Sequence, residues 1–340
     1  MITITPPHTF SRVLDVNSQD HPILISETPL LPKSHRERLC QVLFETYNVP
    51  GLYIASSPAL SLYSGGRTTG AVLDVGERVT TVAPVVDGYL ATHACETLPL
   101  GGHDITVRFD TLLAPRNQEL FTGMGMNDAV RLEIVQEAKE RHALVVANPE
   151  QQLAVLHKMV SKKQQMQQQQ VQQQVQQQKK GASGSQQQSQ QQQQSLADKI
   201  YELPDGNRLV IGPQERFMCT EVLFSPFETL GLELDGIHKQ LFHSVFRCSI
   251  EQRKELFNNI VITGGTSLLP GFQSRVQQEI EQMVPTQFQP ANVIASKERR
   301  FGAWMGGSIV AQLPSMQQMW IRKRDYNEHG PQIINRKTFA

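Results

Sequence analysis

Two apolar runs, Ala71–Val75 and Val79–Val86, face each other across a turn at Gly76-Glu77-Arg78, and one carboxylate, Asp74, sits near the end of the first run. The pattern reads as two strands and a tight connection. A carboxylate before a glycine turn is a way to bring backbone N–H groups and a metal-facing acid up to a phosphate. Glu77 and Arg78 are bulky and charged where a phosphate loop favours small residues.

On either side of this hairpin, helical and extended patterns alternate. Ser34-His-Arg-Glu37 has the form of a capping box opening a helix with Leu39, Val42, Leu43 and Tyr47 on one face. Asn48–Gly51 stops it, and Leu52–Ala55 reads as a short buried strand. Ser57-Pro58 opens a helix of one to two turns that ends at Gly65-Gly66, and Thr68–Val75 returns as a strand. Strand–helix–strand is the unit of a layered α/β domain. Further on, Tyr201–Gly212 reads as a hairpin turning at Pro204-Asp-Gly206. Asn259–Ser267 is a strand running into paired glycines, which lets a ligand approach the backbone. A helix over Phe272–Met283 follows, with Phe272, Val276, Ile280 and Met283 on one side.

From Ser161 to Ser195 glutamine dominates, with Gly181-Ala-Ser-Gly-Ser185 as an interruption. Such a tract holds too little apolar surface to offset the entropy of ordering, so it is expected to be a disordered surface insertion. Its front edge predicts a helix, with Asn148 as cap, Pro149 in the first turn, and Leu153, Leu156 and Val160 at helical spacing. A coiled-coil continuation through Met166, Val171 and Val175 is the alternative to a plain loop expansion.

Lys plus Arg equals Asp plus Glu at 32 each, so no global field draws the chain to nucleic acid or to an anionic membrane. Cys40, Cys95, Cys219 and Cys248 are scattered without metal-site spacing, which predicts free thiols in a reducing compartment. No apolar run approaches the roughly 18 residues of a membrane span. A soluble, cytoplasmic protein is the expectation.

Several blocks, in order along nearly the whole chain, resemble actin and its relatives. They include Thr46–Gly51, Ala59-Leu-Ser-Leu-Tyr63, Gly66-Arg-Thr-Thr-Gly70, Tyr201–Gly206 and Glu215-Arg-Phe217. Gly236-Ile-His238, Thr263-Gly-Gly-Thr266, Gly306-Gly-Ser-Ile309, Gln317-Gln-Met-Trp320 and Arg336-Lys337 continue the match. The resemblance implies an α/β, actin-like (ribonuclease H-like ATPase) fold, with two domains around a cleft for ATP or ADP and Mg2+ or Ca2+. It divides the chain into an outer domain (1–64 and 302–340), the base of a second domain (65–100 and 234–301) and its upper part (101–233), which includes the insertion 161–195.

Carried over residue by residue, the resemblance makes Asp74 the acid that orients the metal's water shell. Gly76 and Val79 become the backbone of a phosphate hairpin. Gly102 lines the cleft, and Lys139 and Glu140 contact the adenosine. Gly264, Gly265 and Leu269 supply the glycine turn and the residue packing on the base, while Arg300 stands where the family usually has a lysine. Read from the residues alone, Lys139 and Glu140 are the exposed face of a helix over Val130–Ala147. A groove that receives helices of partner proteins and neighbouring subunits maps to Tyr63, Ser64, Gly66, Thr68, Tyr89, Ile309, Leu313 and Met319.

Departures from the family pattern matter as much. The family's first phosphate loop has no counterpart, which leaves the fold amino-terminally incomplete and weakens nucleotide binding. Ser57 and Thr81 replace the glutamine and histidine that position the attacking water, so hydrolysis is expected to be weak or absent. Arg78 replaces a small residue. A left-handed backbone there would cost about 1–2 kcal/mol, against about 4 kcal/mol from a guanidinium roughly 4 Å from a phosphate at a dielectric near 20. Alternatively, Arg78 points away and pairs with Glu77. The resulting expectation is an actin-like cytoskeletal protein that works with actin-like subunits and actin-binding proteins, without membrane insertion or direct nucleic-acid binding. A nuclear actin-related subunit of a chromatin-remodelling complex, or an incomplete gene model of a longer actin-like protein, are the alternatives.

Overall fold

The computed structural model describes residues 9–123, 127–159, 161, 198–203 and 206–338. The glutamine-rich insertion past residue 161, with its coiled-coil alternative, and Pro204-Asp205 of the second hairpin lie outside the described residues. The chain forms two compact units. One comprises 1–99, 237–268 and 279–340; the other comprises 100–236 and 269–278. Segments 1–64 and 302–340 therefore share a unit with 65–99 and 237–268.

In chain order the first unit begins with β1 (Ile23–Glu27), α1 (Lys33–Gln41), β2 (Gly51–Ser56) and α2 (Ser57–Ser64). The hairpin follows as β3 (Gly70–Val75) and β4 (Thr80–Val86), then β5 (Tyr89–Leu90) and β6 (Glu96–Leu98). The second unit contributes α3 (Gly102–Leu113), α4 (Asp128–His142), β7 (Lys199–Glu202) and β8 (Arg208–Ile211). The chain then returns through α5 (Ile237–Arg247), β9 (Ile260–Thr263), α6 (Phe272–Met283), β10 (Val293–Ile294), α7 (Gly302–Gln312) and β11 (Ile321–Arg322). Of these, α6 opens in the second unit and closes in the first.

Two sheets organise the first unit. One has the order β1-β2-β11, with β1 and β2 parallel and β11 antiparallel to β2. The other runs β10-β9-β3-β4-β5, with β6 added to β4. Thus β2, α2 and β3 do not form a crossover within one sheet: the segment before α2 and the segment after it join different sheets. The helix α2 packs against α7, with Gly302 and Gly306 of α7 set against Ser61, Ser64 and the Leu60 backbone of α2. A core of Cys40, Leu43, Phe44, Leu52, Ile54, Ile321 and Ile334 covers one side of the three-stranded sheet. Tyr53, Ala55, Leu60, Met316 and Trp320 form a second cluster. That division follows from strand alternation, since Leu52 and Ile54 point opposite to Tyr53 and Ala55.

Several local readings need correction. Helix α1 starts at Lys33 behind Pro32, with no side-chain cap, so Ser34 lies inside the helix and the capping box does not form. The helix continues as a π-turn over Val42–Thr46, which rotates Phe44 into the core beside Leu43. Asn48 ends it with a positive φ of 54°. Helix α4 stops at His142 rather than reaching Ala147. Other readings hold. The Asn148 side chain accepts from the Gln151 N–H at 3.0 Å, capping the helix before the insertion. The four cysteines are buried and free, and burial pushes the Cys40, Cys95 and Cys219 thiols up to about 12. Among the described residues no helix is long and apolar enough to cross a membrane.

Candidate functional site

Strand pairing builds the site. Asp74 lies opposite Thr81 on β4 and beside Thr263 on the parallel strand β9. Opposed residues in an antiparallel pair project to the same face, so Asp74 and Thr81 share it. A cavity of 510 Å³ opens there, lined by Thr28, Asp74, Gly76, Glu77, Arg78, Val79 and Thr81. Its size suits a small-molecule ligand. Thr28 comes from the segment after β1, so the other sheet of this unit closes one side.

The turn is shaped by its own backbone. Gly76 donates its N–H to the Val79 carbonyl at 3.0 Å, so that N–H is spent inside the turn. Among the described residues no backbone hydrogen bond is donated by the Glu77, Arg78 or Val79 amide, and all three residues are exposed. Arg78 does not have a positive φ, so the left-handed strain anticipated there is absent. Nor does it pair with Glu77 or Asp74 among the described residues. Its exposed guanidinium lines the cavity as a cation free to meet a ligand.

Behind the turn, β9 is followed by Gly264 with φ 91°, where a Cβ would sit 2.3 Å from the Val75 carbonyl oxygen and 2.6 Å from Asp74 Oδ1. Only glycine fits, and its absent side chain is what lets the two strand ends meet. Gly265 is exposed and opens a 3-10 turn, and among the described residues no heavy atom lies within 4 Å of a Cβ added there. Three further residues hold this geometry. Thr266 Oγ1 donates to the Gly76 carbonyl at 2.8 Å, tying the glycine turn to the hairpin turn. The Arg299 guanidinium donates to Ser267 Oγ, the Ser267 carbonyl and the Ser296 carbonyl. Thr28 completes the lining. Thr266 lay inside a quoted motif and Arg299 in the pair Glu298-Arg299, which also matches the actin-like pattern, whereas Thr28 carries no local signal. Arg300, its neighbour, is exposed and lies over the Phe301 ring at 5.7 Å.

The remaining predicted contacts belong to the second unit. Lys139 is only 4% exposed, which overturns its reading as part of an exposed helix face. Its ammonium donates to the Gly102 carbonyl at 2.9 Å and to Thr106 Oγ1 at 2.8 Å, so the structure brings Gly102 and Lys139 together. Glu140 is exposed and accepts from Gln136. Leu269 is buried. In the first unit, Tyr63 and Met319 pack against one apolar cluster, while Tyr89, Ile309 and Leu313 are exposed. Ser64 is half-buried, and Gly66 and Thr68 are exposed. Thr81 is buried at the cavity wall; Ser57 is not part of the lining, and its carbonyl accepts from Ser61 Oγ.

Asp74 carries the site's electrostatics. No hydrogen bond among the described residues reaches its carboxylate, and burial without compensation pushes its pKa from 3.8 up to about 6. A folded-state pKa above the unfolded value means the protonated form is favoured by folding. Stability is then fully present below pH 4 and is lost as pH rises through about 6, by about 3 kcal/mol. Asp74→Asn is therefore expected to raise the melting temperature at pH 7.5 in the absence of divalent cations and nucleotide. That advantage should vanish below pH 4, as thermal melts across this range would show. A residue that costs stability where it stands is a mark of a functional site.

Against this geometry, the family model described as Actin matches residues 6–339. The match spans both units and both sheets, and it includes the hairpin turn, the glycine turn and the buried lysine. By that match, this chain belongs to the actin family.

Proposed function

We propose that the chain is a cytoplasmic, cytoskeletal structural subunit that holds ADP or ATP with a divalent cation at the β3–β4 turn, hydrolyses it poorly, and acts through assembly and partner binding. The observation that carries this reading is the Asp74 carboxylate, half-buried and without a hydrogen bond among the described residues, on a cavity also lined by Gly76 and by the exposed Arg78. Mg2+ or Ca2+ bound there would supply the positive charge that both Asp74 and a polyphosphate lack. Asp74 is the residue to hold it, directly or through water. The Glu77–Val79 amides and the Arg78 guanidinium would meet phosphate oxygens, where a charge-assisted bond is shorter and stronger than a neutral one. Gly264 and Gly265 allow close approach of the same ligand to the backbone.

Turnover is a separate matter. Thr81 is the one hydroxyl of the two replaced positions that faces the cavity, and its short side chain lacks the basic nitrogen that would orient a water. Titration of the purified chain with a fluorescent ADP analogue in Mg2+ is expected to give saturable binding. Asp74→Asn and Arg78→Ala should each weaken it about tenfold, the equivalent of about 1.4 kcal/mol. Phosphate release from ATP should stay at the level of a protein-free control. Absence of saturable binding, or binding indifferent to both substitutions, would overturn the reading. Pelleting induced by salt and Mg2+ tests the assembly role.

A further inference from the structure

The three-stranded sheet has a second opening at the end away from Thr28. Trp320, just before β11, and Arg322 flank Ile321, which points into the core, so the two outer residues share the opposite face. Arg322 pairs with Gly51 on β2, and a Cβ on Gly51 would meet the Pro22 Cβ at 3.4 Å and the Trp320 Cβ at 3.9 Å. Pro22, Gly51 and Arg322 thus form a row across the strands whose middle member has no side chain. A cavity of 460 Å³ opens over that gap, with Leu24 and Trp320 in its wall and Ala311 of α7 at its margin.

Arg322 is the charged residue in the lining of this cavity. Arg322, Lys323 and Arg324 are consecutive, and the Arg322 guanidinium and Lys323 ammonium make no ion pair among the described residues. Arg324 approaches Asp325 only to 3.8 Å. Asp325 is already taken by Lys337 Nζ at 2.6 Å and by the Arg322 N–H. Three consecutive cations, the first of them in the cavity wall, exceed what a single carboxylate can use, and the chain as a whole is neutral. Charge complementarity therefore selects an acidic chain over a small apolar acid or a second copy of this protein.

We propose that this cavity docks an acidic peptide segment of a partner protein. One bulky apolar side chain enters the gap over Gly51 against Trp320, and an adjacent Asp or Glu pairs with Arg322. Further acidic residues lie along Lys323 and Arg324. The site is separate from the hairpin cavity: it opens at the amino-terminal ends of β1 and β2, whereas Thr28 follows the carboxyl end of β1.

The test selects peptides from a random dodecapeptide display library on the full chain. Those selected are then measured as labelled synthetic peptides by fluorescence anisotropy. The expected consensus places Trp, Phe or Leu within two positions of Asp or Glu. Arg322→Glu should weaken binding about tenfold or more, and Gly51→Val, which fills the gap, should do the same. Replacing the peptide's acids by Lys should restore binding to the Arg322→Glu variant. Thermal melts check the fold of each variant; if Gly51→Val does not fold, the charge exchange decides alone. A basic or uncharged consensus overturns the proposal, as does affinity unmoved by either variant. So does phenylpropionate binding as tightly as the peptides, or self-association that Arg322→Glu abolishes.

Discussion

Replacing Gly306 by alanine is expected to lower stability by about 2 kcal/mol or more, visible as a reduced urea midpoint, although helix propensity alone predicts the opposite sign. In an exposed helix interior that change stabilises by about 0.5–1 kcal/mol. Here a Cβ on Gly306 would lie 1.8 Å from the Leu60 carbonyl oxygen and 2.6 Å from its carbon. That oxygen belongs to the backbone of α2 and cannot turn aside like a flexible side chain. The two helices must therefore separate by more than an ångström, which loosens Leu60 and Trp320 in their shared cluster. Overpacking of this kind costs about 1–3 kcal/mol, occasionally more, and outweighs the propensity gain. Gly265→Ala is the control. No heavy atom lies within 4 Å of its added Cβ and its φ is not positive, so its midpoint should move by no more than about 0.5 kcal/mol. A Gly306→Ala protein as stable as its parent would refute the close contact between α2 and α7.

The second large effect is expected at Arg275. Its guanidinium meets both oxygens of Glu221 at 3.1 Å, donates to the Val146 carbonyl at 2.7 Å and lies over the Phe224 ring at 4.5 Å. Both partners are nearly devoid of exposed surface. Removing one charge strands the other away from water, so Arg275→Met should cost about 3–5 kcal/mol. Arg275 sits on α6 and Val146 follows α4, hence the loss should fall on the second unit. Faster hydrogen exchange in 100–236 than in 1–99 would report that. Adding Glu221→Leu should recover much of the stability, because no buried charge is then left unpaired. Equal destabilisation by the single and double variants would show that the pair acts through the Val146 contact instead.

Both effects depend on residues far apart in the chain, and so do the places where the sequence reading failed. The β3–β4 hairpin, the Asn148 cap, helix α6 and the glycine turn after β9 were all legible, since each rests on residues within a few positions of one another. Ser34 had the right neighbours for a cap, yet Pro32 lies in front of it and the helix starts one residue earlier. Lys139 looked like a surface charge on a helix with little amphipathic contrast. Its burial depends on Gly102 and Thr106, which lie more than 30 positions earlier. Likewise the hydrogen bonds of Arg299 to the glycine turn span 32 positions, and Thr28 reaches the cavity from the segment after a strand of another sheet.

Residue order was enough to place the turns, the apolar strands, the carboxylate at the strand end and the family pattern that joins them. Periodicity and turn chemistry act over a few residues and leave their signature in that order. Packing decided the rest: that β2 and β3 part into different sheets, that Gly306 must remain bare, that Arg78 is unstrained, and that Asp74 is left without a partner among the described residues. Each of these depends on which distant atoms exclude water or occupy space around a side chain, and only the folded chain brings those atoms together.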